Sequence, residues 1–330
     1  MKACIYGVGA IGGFIGTRLA LAGGCQVSAV ARGATLAALQ RHGLRLRQGG
    51  ELLAAPVQAS ADPAALGVQD LVLIAVKGPA LGAVAAALGP LLGPQTLVLP
   101  AMNGVPWWFG SGAAALGDAP LHCIDPGGAI AAAIPLAQVI GCVVHASSFT
   151  SAPGLVEHKM GQGLIVGEPA GGLSERVQAL AARLKAAGFD ASVSADVRRD
   201  IWYKLWGNMT VNPISAITGA TVDRVLDDPL LRALCGAAMN EAAAVGARIG
   251  CAIDQTPEDR HQITRKLGAF KTSMLQDVEA GRAIELDALV AVVREMAQRV
   301  GVATPMIDAL LGLARLHGRV HGLYPEALPS

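Results

Sequence analysis

The sequence predicts an α/β protein in two parts. An N-terminal Rossmann-type doubly wound parallel sheet spans residues 1–195, and an all-helical C-terminal domain spans 196–330. Three observations carry this prediction. The chain opens with the apolar run Ala3-Cys4-Ile5-Tyr6, then Gly7-Val8-Gly9-Ala10-Ile11-Gly12, then a helix-like stretch from Phe14 to Ala22. Short β-like runs alternate with helix-like ones up to about Ala195, the pattern of a parallel sheet with crossover helices. From Asp196 onward the apolar periodicity is almost wholly helical.

The opening hexad is a G-x-G-x-x-G between a strand and a helix. Gly7 makes the tight turn, Gly9 lets backbone approach a pyrophosphate, and Gly12 lets helix pack on strand. The N-terminus of the helix then receives the phosphates. The second strand is Gln26–Val30, followed by Ala31-Arg32-Gly33, and the first fifty residues contain no Asp or Glu. A site for NAD needs an acid about 20 residues past the hexad to accept from the ribose 2′-hydroxyl. A guanidinium there suits a 2′-phosphate instead, because its planar fork pairs with phosphate oxygens. The pattern therefore points to NADP(H), with a solvated loop arginine as the rival reading of Arg32.

Further along, Thr35–His42 reads as a helix and Leu44–Arg47 as a short strand. Asp70–Val76 is a near-continuous apolar run, as expected of a strand buried on both faces. Pro79–Leu88 reads as a helix and Thr96–Pro100 as a strand. Gln138–Phe149, Gly154–His158 and Gly163–Val166 read as strands, Leu173–Ala186 as an amphipathic helix, and Ala191–Val193 as a last strand. In the helical half, breaks are expected at Asn212-Pro213, Asp228-Pro229, Thr256-Pro257 and Thr304-Pro305.

Composition narrows the function. The formal net charge is +1 with 15% charged residues, so no broad basic surface is expected for nucleic acid or for anionic membrane. Mean hydropathy is +0.46, but it comes from Ala, Leu and Val in strand-length runs, short of the roughly 20 residues a spanning helix needs. The first strand begins at once, which reads as a cytoplasmic chain without a signal peptide. Six cysteines lie scattered without metal-ligand spacing. They read as buried cytosolic thiols. His122-Cys123 with Asp125 offers too few ligands for zinc, so no metal is expected.

Reduction of a carbonyl by a nicotinamide requires a proton donor for the oxygen that becomes an alkoxide. Lys204, Asn208 and Asn212 are spaced by four, a polar row on one helix face if the helix persists to Pro213. By helix geometry alone, the favoured reading of Lys204 is half of an exposed ion pair with Asp200. Glu285, in Ile284-Glu285-Leu286 after Gly281, is by itself explained as an acid at a helix start.

The chain resembles the ketopantoate reductase (2-dehydropantoate 2-reductase) family. The resemblance runs through almost the whole chain: Gly7–Gly12, Val30-Ala31-Arg32-Gly33, Ala75-Val76-Lys77, Met102-Asn103-Gly104-Val105, Lys204 with Asn208 and Asn212-Pro213, and Ser273-Met274-Leu275-Gln276-Asp277 with Glu285. It implies NADPH-dependent reduction of a 2-oxo acid, 2-dehydropantoate, to (R)-pantoate for coenzyme A synthesis. Gly7, Val8, Gly9, Ala10, Ile11 and Gly12 would hold the pyrophosphate, and Arg32 with Lys77 the 2′-phosphate end. Asn103 would sit beside nicotinamide and carbonyl, and Ser147 would be a further cofactor contact. Lys204 would be the general acid. Asn208, Asn212 and Ser273 would bind substrate, and Glu285 would orient Lys204 and contact cofactor or substrate. In such two-domain reductases the substrate groups come from the helical half.

A familiar member of the family has asparagines where this chain has Val222 and Phe270. Those replacements fit a larger or less polar 2-oxo acid. Trp107-Trp108 and the stretch Asp125–Pro135 are also unlike it, with packing the favoured reading of the tryptophans. Two alternatives stand beside the reductase: a D-2-hydroxyacid dehydrogenase acting on another branched or aromatic 2-oxo acid, and a non-catalytic NADP(H)-binding sensor. A homodimer is compatible with the apolar helical half.

Overall fold

A computed structural model describes residues 1–266 and 268–326. The chain divides into two compact units. The first comprises Met1–Asn103 and Ala129–Asp200, the second Gly104–Gly128 and Ile201–Ser330. In place of a single boundary at 195, the chain thus leaves the first unit at Asn103, returns at Ala129 and leaves again after Asp200.

The first unit holds β1 (Lys2–Tyr6), α1 (Ala10–Leu21), β2 (Gln26–Val30), α2 (Gly33–His42), β3 (Leu44–Gln48), β4 (Glu51–Ala55), β5 (Gln58–Ser60), β6 (Leu71–Ile74), α3 (Leu81–Ala87), β7 (Leu97–Pro100), α4 (Ala129–Ala133), β8 (Gly141–Ala152), β9 (Leu155–Gly167), α5 (Glu175–Ala186) and β10 (Asp190–Ser194). Five of these strands form an all-parallel sheet in the order β5-β2-β1-β6-β7. The order reverses between β1 and β6, where open α/β sheets place their ligands. Leu71, Val72, Leu73 and Ile74 of β6 have no solvent exposure, which explains the unbroken apolar run.

The later strands do not extend this sheet. They build a second, mixed one in the order β10-β9-β3-β4, with β8 antiparallel to β9. The two strands expected at 154–158 and 163–166 are one strand, β9. Its first residues pair with β3 and its last with β10, while β8 runs alongside with register shifts opposite the glycines between them. Helix α1 packs against strands of both sheets. Its glycines make that possible: a Cβ at Gly12 would stand 3.1 Å from Ile5 of β1, and one at Gly13 would stand 2.6 Å from Val156 of β9.

The second unit contains most of α6 (Val197–Thr218), then α7 (Val222–Asp227), α8 (Pro229–Arg248), α9 (Pro257–Arg265), α10 (Ser273–Glu279), α11 (Val292–Val300) and α12 (Pro305–Val320). Three of the four expected breaks are helix starts with proline in the first turn. Asp228 accepts from Leu230 N–H and Leu231 N–H, both at 2.9 Å, and Thr256 forms a capping box with Asp259. The N-terminus of α12 is capped across the bundle, its Met306 and Ile307 N–H groups reaching Glu241 at 2.9 and 3.0 Å.

The fourth break is absent. Helix α6 runs through Pro213. Proline inside a helix forfeits a hydrogen bond, and here burial of every residue from Met209 to Ala216 offsets the loss. The same helix buries Trp202 and Trp206 almost completely.

Candidate active site

Sequence positions that are far apart meet at one edge of the parallel sheet. Gly7 follows β1, Arg32 follows β2, Lys77 lies three residues beyond β6, and Asn103 three beyond β7. These are four adjacent strands, and parallel strands end on the same side. Gly7, Arg32, Lys77 and Asn103 therefore lie along one edge of the sheet.

The hexad has the form a dinucleotide requires. Gly7 has φ +98°, and a Cβ there would stand 2.7 Å from Val76 Cγ1 and 3.1 Å from the Ala75 carbonyl oxygen. At Gly9, in contrast, a Cβ would meet nothing within 4 Å. Space therefore lies open beside the N-terminus of α1. That helix has no acidic residue in its first turn and no side-chain cap, so its positive end is not neutralised from within the chain. The residues present fit a dinucleotide pyrophosphate.

Arg32 is exposed and occupies the N-cap position of α2. Its guanidinium lies close enough to the Tyr6 phenol to act on it: burial pushes the Tyr6 hydroxyl up, and the positive charge of Arg32 works against that shift. The Tyr6 hydroxyl is buried with no hydrogen-bond partner, an orphan at the last position of β1 directly before the hexad. In the sequence Tyr6 has only the pattern of a strand residue. A hydroxyl at the strand end beside the fingerprint was the available signal.

Ser147 stands apart from this edge. It lies half-buried on β8 in the second sheet, flanked by register shifts on both sides.

In the second unit, the continuity of α6 keeps Lys204, Asn208 and Asn212 on one face. Lys204 and Asn208 are half-buried and Asn212 is 5% exposed. A freely solvated pair of Asp200 and Lys204 does not match this burial, since both residues are half-buried and the Asp200 carboxylate accepts the Ser194 hydroxyl. Ser273 is exposed at the first position of α10, whose N-cap is Thr272. Glu285 is half-buried in the irregular link after α10. Val222 and Phe270 are bound to each other, Val222 N–H donating to Phe270 C=O at 2.9 Å. Both belong to an apolar cluster that includes Val211 and Ile214, the neighbours of Asn212-Pro213 on α6. Trp107 and Trp108 are 5% and 2% exposed, and Phe109 beside them stacks on Trp202 at 6.1 Å. They pack the second unit. Among the described residues, no group of three His, Cys, Asp or Glu side chains could hold a metal ion.

Residues 3–171 match the family described as Ketopantoate reductase PanE/ApbA, and residues 196–318 match its C-terminal domain. The chain belongs to the ketopantoate reductase PanE/ApbA family. It is 45% identical over 325 residues to a 2-dehydropantoate 2-reductase of Mesorhizobium japonicum, covering 98% of this chain and 100% of that one. A solved structure from Ralstonia solanacearum is 56% identical, with a TM-score of 0.93 over 98% of this chain and 99% of the other. The ternary structure of a D-mandelate dehydrogenase with NADH and anilino(oxo)acetate shares the fold, with a TM-score of 0.83 at 20% identity, covering 98% of this chain and 100% of that one.

Proposed function

We propose that this protein is a 2-dehydropantoate 2-reductase that reduces its 2-oxo acid with NADPH in the cytoplasm. The observation that carries the cofactor choice is Arg32, an exposed guanidinium where an NAD site would have an acid, at the same sheet edge as the hexad. The substrate choice is supported by the 45% identity over nearly the whole chain. No helix among the described residues is long and apolar enough to cross a membrane.

NADPH bound along this edge supplies the hydride. The hexad and the α1 N-terminus hold its pyrophosphate, Arg32 and Lys77 its 2′-phosphate, and Asn103 and Ser147 contribute further contacts. Lys204 donates a proton to the carbonyl oxygen as the adjacent carbon is reduced, so that C=O becomes CH–OH. An ammonium is a compact donor to a developing alkoxide, and a nearby carboxylate favours its charged form. Glu285 is that carboxylate. Asn208, Asn212 and Ser273 orient the 2-oxo acid.

A second reading rests on Val222 and Phe270, whose apolar cluster favours a 2-oxo acid with a larger or less polar side chain. One experiment separates the two: kcat/KM for 2-dehydropantoate and for a panel of branched and aromatic 2-oxo acids, each with NADPH and NADH. The first reading requires 2-dehydropantoate with NADPH to rank highest. A branched or aromatic acid at the top selects the second, and no turnover of any of them removes both.

A further inference from the structure

The link carrying Glu285 runs directly into a backbone irregularity. Residues Asp287–Ala291 form a π-helical turn before α11. Ala291 N–H donates to Leu286 C=O at 3.2 Å, and Val292 N–H donates to Asp287 C=O, so the bonds span five residues instead of four. Such turns are uncommon and recur at functional sites. Glu285 stands two residues before this one.

Three contacts hold this turn and the link before it. The Tyr324 hydroxyl donates to the Asp287 carboxylate at 2.5 Å. Ile284 N–H, next to Glu285, donates to Leu323 C=O at 3.0 Å. On another side, Val105 N–H donates to Ala288 C=O at 2.8 Å. The last contact depends on Gly104. That residue has φ +83°, and a Cβ on it would stand 2.4 Å from the Ala288 carbonyl oxygen and 2.8 Å from both the carbonyl carbon and Cβ of Ala288. The nearest atoms are backbone, so no rotamer change relieves the overlap. A side chain is excluded at Gly104 twice, by conformation and by contact.

We infer that the π turn Asp287–Ala291, clamped by Gly104-Val105 and by Tyr324, positions Glu285, and that Gly104 is a positioning residue in this enzyme. The inference rests on the reading of Glu285 as the carboxylate partner of Lys204. Gly104 takes no part in the chemistry; it allows the segment following Asn103 to lie directly against the turn following Glu285.

The test compares Gly104→Ala, Gly104→Asn, Tyr324→Phe and Glu285→Gln by pH profile of kcat, NADPH Kd and Tm. Glu285→Gln is expected to move the alkaline limb of kcat to lower pH by about one unit, as loss of a carboxylate beside the acid should. Gly104→Ala and Tyr324→Phe are expected to move the same limb in the same direction, with NADPH Kd within twofold of the parent. A merely structural role would lower Tm and leave the limb in place, which overturns the proposal. Asn adopts positive φ more readily than most residues, yet Gly104→Asn should behave like Gly104→Ala because the overlap with Ala288 persists; a parental profile for it also overturns the proposal. If neither Gly104 variant folds, Tyr324→Phe decides, since it removes a hydroxyl alone. A shift in Glu285→Gln without one in Gly104→Ala or Tyr324→Phe defeats the positioning role only. No shift in Glu285→Gln defeats the reading of Glu285 as well.

Discussion

Glu295 and Arg299, one turn apart on α11, are joined by a 2.6 Å ion pair and together hold the backbone of the 104–128 segment. Glu295 accepts from His122 N–H at 2.8 Å and Cys123 N–H at 3.0 Å, while Arg299 donates to the carbonyls of Leu116, Ala119 and Pro120. Burial pushes the Glu295 carboxyl up, but donation from Cys123, His122 and Arg299 outweighs it and holds the group below the usual range.

Glu295→Ala should therefore destabilise the protein by about 3 kcal/mol, because it leaves two backbone donors and a largely buried guanidinium without their acceptor. Urea denaturation measures the loss. A change under about 0.5 kcal/mol, typical of surface substitutions, would show that the pair does not secure the segment.

Arg32→Asp should invert the cofactor preference. The substitution removes a charge-assisted phosphate contact of roughly 1.5–3 kcal/mol, about one to two decades in NADPH affinity, and installs a ribose acceptor. The ratio of Kd for NADPH to Kd for NADH is the readout, and an unchanged ratio refutes the assignment of Arg32.

Lys204→Ala should keep NADPH binding and lower kcat by about 10²–10⁴, the usual range for loss of a general acid. Combined with Glu285→Ala, the loss should be smaller than the product of the single effects if the two act as a unit. Near-parental kcat with a small drop in Tm would instead return Lys204 to the role of a helix-surface cation.

His261 should make the helical unit sensitive to acid. It is 3% exposed on α9, neither ring nitrogen has a hydrogen-bond partner, and Glu258 Oε2 is 3.8 Å from Nδ1. Burial holds its pKa below the ordinary 6.5, and Arg232 of α8 and Arg265 add to that shift against the pull of Glu258. The folded state thus prefers the neutral ring. The contribution to stability is present above about pH 6.5, where the unfolded ring is also neutral, and is lost as pH falls and the unfolded chain takes up the proton first. Tm of the parent should drop between pH 8 and pH 5.5 by more than that of His261→Phe. Equal drops would exclude His261 as the cause.

Local pattern was enough to determine the first elements of the parallel sheet and the turn between β1 and α1. The G-x-G-x-x-G between strand and helix and the apolar run of β6 are consequences of short-range requirements: a tight turn and a strand buried on both faces. The row Lys204, Asn208, Asn212 was legible for the same reason, although only the structure decided that α6 continues through Pro213 and keeps it intact. The roles proposed for Lys204 and Glu285 rest on family resemblance, since helix spacing alone left an ion pair and a helix-start acid as sufficient explanations.

What tertiary structure decided is long-range. The later strands leave the parallel sheet for a second one, because β9 finds partners in β3, β8 and β10. The 104–128 segment joins the helical unit, because Glu295, Arg299 and Ala288 bind its backbone. Neither outcome has a sequence signature, since the partners lie up to 183 residues away and are chosen by backbone hydrogen-bonding groups that every residue carries.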